Sequence, residues 1–342
     1  MPPKRRLSAT SHGELALLRQ IRERATFSAK SSVRLGIGDD CALLSLRPGE
    51  ELAITTDLSI AGRHFRLDWH QPESIGHRAL ARGLSDLAAM GARPVAAFLS
   101  IGLPRELIAS QNRCSPWVQR FLDGLLALAQ THKAPLAGGD LSESPLPVAD
   151  IVLTGAVPRG KALLRSKARV GHLLYVTGNI GGAGAALVRL EKLASSTKIE
   201  HPPRIPTALA AELVPHLYPQ PRIAQGLFLQ RHGIASAAID LSDGLSTDLA
   251  HICEESGVAA EIDATLLPIH PGASLSLALH GGEDYELLFT APATARVPRK
   301  IAGVPITCIG RIVKARAGTP DVTLLTPQGP RPLEPQGWQH FS

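Results

Sequence analysis

Aromatic side chains are scarce in this chain: seven Phe, three Tyr and three Trp among 342 residues, or 4%. No basic stripe is interleaved with them, so a base-stacking platform for single-stranded nucleic acid is not expected. Cysteine is rarer still. Cys41, Cys114, Cys253 and Cys308 stand far apart and form no C-x-x-C pair. That argues against a thiolate zinc site or a disulfide framework, and for reduced thiols in a cytoplasmic protein. No apolar run approaches the ~20 residues of a membrane span. The basic opening "MPPKRRLSAT" leads into no apolar segment and no small-residue cleavage site, so no secretory leader is expected. Nucleotide and nucleophile signatures are also missing. There is no G-x-x-x-x-G-K-[ST], no protein-kinase set, no G-x-S-x-G and no Cys beside a His.

Hydrophobic residues make up 44% of the chain and charged residues 19%, enough for a sizeable core. The length suits about two domains of roughly 150 residues. The formal net charge of +6 favours anionic partners, but the basic residues are scattered apart from "KRR" at 4–6, which reads as a solvated tail. A nucleic-acid-binding function has only this net charge behind it.

Apolar periodicity predicts a first helix over 12–25, with Leu17, Leu18, Ile21 and Ala25 on one side. "ELAITTD" reads as a strand ending on Asp57. A helix follows from Pro72 to Met90, closed by Gly91. "PVAAFLSIGLP" is a buried strand, and Ser115 with Pro116 starts another helix. "DIVLTGAVP" is again a strand. The basic, aperiodic "PRGKALLRSKARVG" (158–171) marks a boundary between domains at 1–158 and 159–342. Beyond it come a strand at "HLLYVTG", a helix after "GNIGGAG" and a strand at "ASAAID". The next helix is capped by Ser242 or Asp243, with Leu245, Leu249, Ile252 and Cys253 inward and Gly257 at its end. "GVAAEID", "EDYELLFT" and "ITCIGRIV" are further strands. Without regular βαβ alternation, two α+β domains are expected.

Acids recur beside Gly, Ser or Thr at the ends of apolar runs: "GIGDD" (36–40), "TTD" (55–57), "LSD" (84–86), "GGD" (138–140), "DLSD" (240–243) and "GGED" (281–284). Singly each has a plain structural account. Asp39 or Asp40 shapes a turn, Asp86 pairs with Arg82 one helical turn away, Asp243 caps a helix, and Glu283 and Asp284 precede a strand. Together they repel one another, and a cation relieves that repulsion. Oxygen ligands select Mg²⁺, Mn²⁺ or Ca²⁺ over zinc, and several acids suggest more than one ion brought in with a polyphosphate. The "GNIGGAG" loop is out of register with known phosphate-cradle motifs and reads better as close strand–helix packing.

In this order the motifs "GIGDDCALL", "TTDLSIAGRHF", "LSDLAAMGARP", "GGD", "LLRSKARVG", "YVTGNIGGAGAAL", "DLSDGLSTDLA", "GGEDYELLFT" and "GWQHF" resemble the thiamine-monophosphate kinase family over nearly the whole chain. The resemblance implies an N-terminal mixed sheet with helices that pairs with a second subunit into a barrel-like dimer, and a C-terminal α/β sandwich. It implies ATP-dependent, Mg²⁺-assisted phosphorylation of thiamine monophosphate to thiamine diphosphate. Carried over residue by residue, Asp40, Thr56, Asp57, Asp86, Asp140, Asp240 and Asp243 correspond to metal ligands. Gly139, Asp140, Arg165 and Ser242 correspond to ATP contacts, and His64, Glu283 and Trp338 to substrate contacts. Neither nucleic acid nor a membrane is an expected partner.

The chain departs from the family pattern at Ala61 and Arg63, where the family usually has an acid and an apolar residue. Gly83 stands for Asn, and His172 stands for an acid. None of these is an expected metal ligand, though Ala61 and Arg63 bear on the acceptor pocket. The competing readings are a related ATP-using enzyme with another acceptor and a non-catalytic Mg-nucleotide-binding protein.

Overall fold

The computed structural model describes residues 14–28, 31–108, 116–196, 202, 205–318 and 321–337. The first helix, α1 (Glu14–Arg24), turns Ile21 inward. A short antiparallel ribbon follows, β1 (Val33–Leu35) with β2 (Leu43–Leu44). Next come β3 (Glu50–Ile60), α2 (Pro72–Ala89), β4 (Arg93–Leu103), α3 (Arg105–Ile108), α4 (Pro116–His132), β5 (Leu136–Glu143) and β6 (Val148–Pro158). These strands form a four-stranded sheet in the order β3-β6-β4-β5. Its pairs are antiparallel except β4 with β5.

Strand alternation gives β3 two unlike faces. Thr55 and Asp57 are half-buried, while Leu52, Ile54 and Leu58 are 46%, 61% and 47% exposed on the other face with Thr56 among them. The strand expected to stop at Asp57 runs on to Ile60, because each residue from Glu50 to Ile60 keeps a partner on β6.

α2 is the centre of the molecule. Every residue in it is buried except Glu73, Arg82 and Asp86. Its apolar and small residues pack on nearly every side, and the buried polar residues among them, Ser74, His77, Arg78 and Ser85, each find a hydrogen-bond partner. α4 crosses it where both helices carry glycine: a Cβ on Gly76 would lie 1.9 Å from the Phe121 carbonyl oxygen, and one on Gly124 would lie 1.9 Å from that of Glu73. Met90 caps α2, with Gly91 at φ +64° beyond it.

The rest of the chain supplies β7 (Leu173–Thr177), α5 (Gly182–Ser196), α6 (Thr207–Leu217), α7 (Ile223–Arg231), β8 (Ala237–Asp240), α8 (Leu245–Ser256), β9 (Ala259–Asp263), α9 (Leu275–His280), β10 (Leu287–Ala291), β11 (Lys300–Ile301), β12 (Val304–Val313), β13 (Val322–Thr326) and β14 (Gly329–Pro332). They build a mixed sheet ordered β14-β13-β9-β12-β7-β10-β8, with β11 on β12. α2 packs on the β8 edge of this second sheet and on α7. One apolar core therefore joins Leu80, Leu84 and Ile151 to Ala238, Leu287 and Phe289. Among the described residues no helix is long and apolar enough to cross a membrane.

Two sequence expectations are corrected in the second half. "EDYELLFT" is strand only from Leu287, because Glu283 and Tyr285 hold φ +66° and +51°, outside the extended region. α8 has Gly244 at its N-cap with no side-chain capping bond, so neither Ser242 nor Asp243 caps it. Its apolar face is as expected, with Leu245, Leu249, Ile252 and Cys253 buried and Gly257 at its end.

Candidate active site

Between α2, the β3–α2 connection, α5 and the 281–285 loop lies a cavity of about 590 Å³. Asp57, Asp86, Asp240, Ser242, Asp243, His64 and Glu283 all line it. Residues from five separate sequence stretches thus meet at one place. β3 brings Asp57 in on its inner face. α2 turns only Arg82 and Asp86, one helical turn apart, toward the opening. β8 ends on Asp240.

These acids do not pair as their spacing suggests. Asp86 accepts the Thr55 hydroxyl, and Arg82 Nε lies 3.5 Å from Asp57 Oδ1 across the helix–strand seam. Asp240 Oδ2 accepts the Ser85 hydroxyl at 2.6 Å. Asp57 Oδ2 is buried without a hydrogen-bond partner. Burial, with the charge of Asp86 beside it, pushes Asp57 up to about 7, and does the same to Asp240. Asp86 is raised too, chiefly by burial. Carboxylates held together at this cost fit a bound cation, which would neutralise them and partner the orphaned Asp57 oxygen. Among the described residues no three His, Cys, Asp or Glu converge closely enough to hold an ion by themselves. Phosphate oxygens commonly supply the missing ligands of Mg²⁺.

Asp248 is structural and only 2% exposed. Its Oδ2 accepts the backbone amides of Ser242, Asp243 and Gly244 at 3.1, 3.2 and 3.0 Å, so it shapes the loop that carries Ser242 and Asp243. The 281–286 loop zips onto that one, Glu283 N–H donating to the Ser242 carbonyl at 2.8 Å and Tyr285 N–H to that of Leu241 at 2.9 Å. Glu283 is gripped by Arg78, whose Nη2 lies 2.6 and 2.7 Å from its two oxygens. Ile60 N–H donates to His64 Nδ1 at 3.0 Å, which leaves the proton of the neutral ring on Nε2.

The glycine loop before α5 binds a carboxylate of the chain itself. Gly181 and Ala183 amides donate to Asp284 at 2.5 and 2.9 Å. That fills the anion site a helix N-terminus offers and agrees with the packing role expected of "GNIGGAG".

The remaining expected residues lie elsewhere. Asp40, Gly139 and Asp140 line a second cavity of about 320 Å³ at the β5 edge. Gly139 is required there, since at φ +148° a Cβ would meet the Leu99 carbonyl oxygen at 1.9 Å. Thr56 is exposed on the outer face of β3, away from Asp57. Arg165 is exposed on a short 3-10 turn, where its charge counters the burial of Asp86 and Asp240. Trp338 lies outside the described residues. Arg63, singled out from the sequence as bearing on the acceptor pocket, lines the main cavity; sequence reading missed Phe65, Arg66, Trp69 and Tyr285, which line it too. The scarcity of aromatics could have drawn attention to Trp69 beside "GRHF".

An open cavity walled by clustered acids and guanidinium groups between two mixed sheets belongs to a recognisable class. The family models for the AIR synthase related protein N-terminal and C-terminal domains match residues 38–157 and 169–322. The thiamine-monophosphate kinase of Escherichia coli K12 is 38% identical over 346 residues, covering 96% of this chain and 98% of that protein. The crystal structure of thiamine-monophosphate kinase from Stenotrophomonas maltophilia K279a superposes with a TM-score of 0.76 at 37% identity, over 90% of this chain and 95% of that one. AaThiL complexed with AMPPCP and TMP gives 0.73 at 30%, over 96% and 97%. The chain belongs to the thiamine-monophosphate kinase family of enzymes.

Proposed function

We propose that the chain transfers the γ-phosphoryl group of ATP to the phosphate of thiamine monophosphate, giving ADP and thiamine diphosphate. The observation that carries this is the convergence of Asp57, Asp86, Asp240 and Asp243 with Arg82, His64 and Glu283 on one cavity, in a chain similar to a kinase solved with AMPPCP and TMP. An acceptor phosphate oxygen is already ionised at neutral pH, so the attack is direct and in line and needs no strong base. The absence of a nucleophile motif fits that route. Two anionic reactants must instead be brought together and oriented.

Asp57, Asp86, Asp240 and Asp243 are the residues that would hold Mg²⁺ ions at the cavity. Such ions would supply neutralisation of the triphosphate and of the charge developing in transfer. Arg82 holds Asp57 in place. Ser242 and Arg165 contact the nucleotide phosphates, with Gly139, Asp140 and Asp40 serving it and its metal from the sheet edge. His64 and Glu283 orient the acceptor, with Trp338 as a third contact. The exposed apolar row Leu52, Ile54 and Leu58 supports a homodimer formed face to face through β3, with Thr56 in the interface. Division into domains at 1–158 and 159–342, a dimer barrel and a cytoplasmic location belong to the same reading.

The test is chromatographic detection of thiamine diphosphate from thiamine monophosphate, ATP and Mg²⁺, beside an Asp243→Asn variant. Product from wild type and little from the variant supports the reaction and the metal role together. A folded wild type that binds Mg-ATP yet makes no thiamine diphosphate overturns the acceptor assignment and turns attention to Arg63 in the cavity wall.

A further inference from the structure

Behind the cavity lies a chain of polar contacts that neither the acids nor the nucleotide contacts use. Arg66 N–H donates to His70 Nδ1 at 3.1 Å. His70 Nε2 lies 3.0 Å from His216 Nε2 on α6. His216 Nδ1 lies 3.4 Å from Glu283 Oε2. Both rings are buried and both border the cavity. A neutral imidazole carries one proton, so one end of the chain decides the other. With His70 Nδ1 accepting from Arg66, the His70 proton sits on Nε2 and is donated to His216 Nε2. The His216 proton then sits on Nδ1 and faces the Glu283 carboxylate. In the reverse order His70 Nδ1–H would donate to the Arg66 carbonyl, also 3.1 Å away. That order turns the His216 Nδ1 lone pair onto a carboxylate oxygen, which is repulsive. Protonating either ring would add a cation beside Arg78, whose charge reaches both.

The arrangement at Glu283 leaves this proton a task. Arg78 reaches both carboxylate oxygens through the single nitrogen Nη2. Such a contact fixes the distance of the carboxylate and leaves its rotation open. His216 Nδ1 has no aligned hydrogen-bond partner, and the nearest acceptor recorded for it is Glu283 Oε2. A small rotation of Glu283 closes that gap.

We propose that His70 and His216 form a tautomer-locked relay from the Arg66 backbone that positions the Glu283 carboxylate toward the acceptor. The relay rests on the reading of Glu283 as an acceptor contact. His70 and His216 are positioning residues; neither touches the reacting phosphates.

The experiment combines nitrogen-15 histidine spectra of the wild type with steady-state kinetics of His216→Leu, His216→Asn and Glu283→Gln. The spectra should show His70 protonated on Nε2 and His216 on Nδ1; the opposite tautomers overturn the relay without any variant. His216→Leu should raise KM for thiamine monophosphate about tenfold or more, with KM for ATP and kcat close to wild type. His216→Asn places an amide N–H near the Nδ1 position and should recover most of that loss, which a purely structural role would not do. If Glu283→Gln raises the acceptor KM and a folded His216→Leu does not, the relay is wrong and Glu283 keeps its role. If Glu283→Gln leaves acceptor binding unchanged, the reading of Glu283 fails and the relay falls with it.

Discussion

The hydroxyl of Ser85 on α2 donates to Oδ2 of Asp240 at the end of β8 at 2.6 Å, both side chains buried. This bond crosses from the helix of the first sheet to the edge strand of the second. It also lowers the Asp240 pKa against the desolvation that raises it. Ser85→Ala should therefore destabilise the fold by about 1–3 kcal/mol, the usual cost of a buried acceptor losing its partner. Urea unfolding measures this, and a loss below about 0.5 kcal/mol would mean that Asp240 finds another donor.

Asp248 accepts three loop amides. Asp248→Ala should cost about 2 kcal/mol, since the buried Gly244 amide and the half-buried amides of Ser242 and Asp243 lose one acceptor together. Hydrogen exchange at residues 242–244 should accelerate, and activity should fall with it. Unchanged exchange there would show that the loop holds its shape without the carboxylate.

Asp284 occupies the N-terminus of α5 through Gly181 and Ala183. Asp284→Ala should lower the melting temperature and leave an anion site open. Sulfate should then recover more of the loss than chloride at matched ionic strength, whereas the wild type should gain little. Equal responses of the two proteins would contradict the occupied-terminus account.

Burial, followed by the charge of Arg78, lowers His70 from its ordinary value of 6.5 to about 3. His216 shifts the same way for the same reasons. Below pH 6.5 the unfolded chain takes up protons that the folded chain refuses, so stability falls as pH falls. His70 alone contributes about 2 kcal/mol of loss between pH 6.5 and pH 5. Thermal melts across that range should be shallower in pH dependence for His70→Gln. An identical dependence would place the sensitivity elsewhere.

Much of this was legible in the sequence because local rules and tertiary need agree. The period of α2, its proline start and its glycine stop are visible without a partner, and so is the buried face of α8. The acids that share the main cavity could be singled out because each follows an apolar run with small neighbours. What could not be read is pairing across elements. Arg82 looks like the partner of Asp86 four residues on, yet it reaches Asp57, because the strand lies closer to its guanidinium than helix spacing reveals. Asp284 looks like a loop acid, yet it closes a helix start about a hundred residues earlier. Glu283 and Tyr285 look like strand residues by composition. Only the two zipped loops force them to positive φ.

α2 is packed against both sheets at once, with Arg82 and Asp86 as its openings toward the cavity. A hinge between the two halves would have to tear that helix from β8 and α7, so large rotation of one half against the other is a costly way to admit or seal in a ligand. The 281–286 loop is fastened as well, by Arg78 and by the start of α5, which leaves timing to the connection around His64. Turnover in this chain should accordingly be limited by small, local rim movements, with the scaffold behind them acting as a rigid anvil.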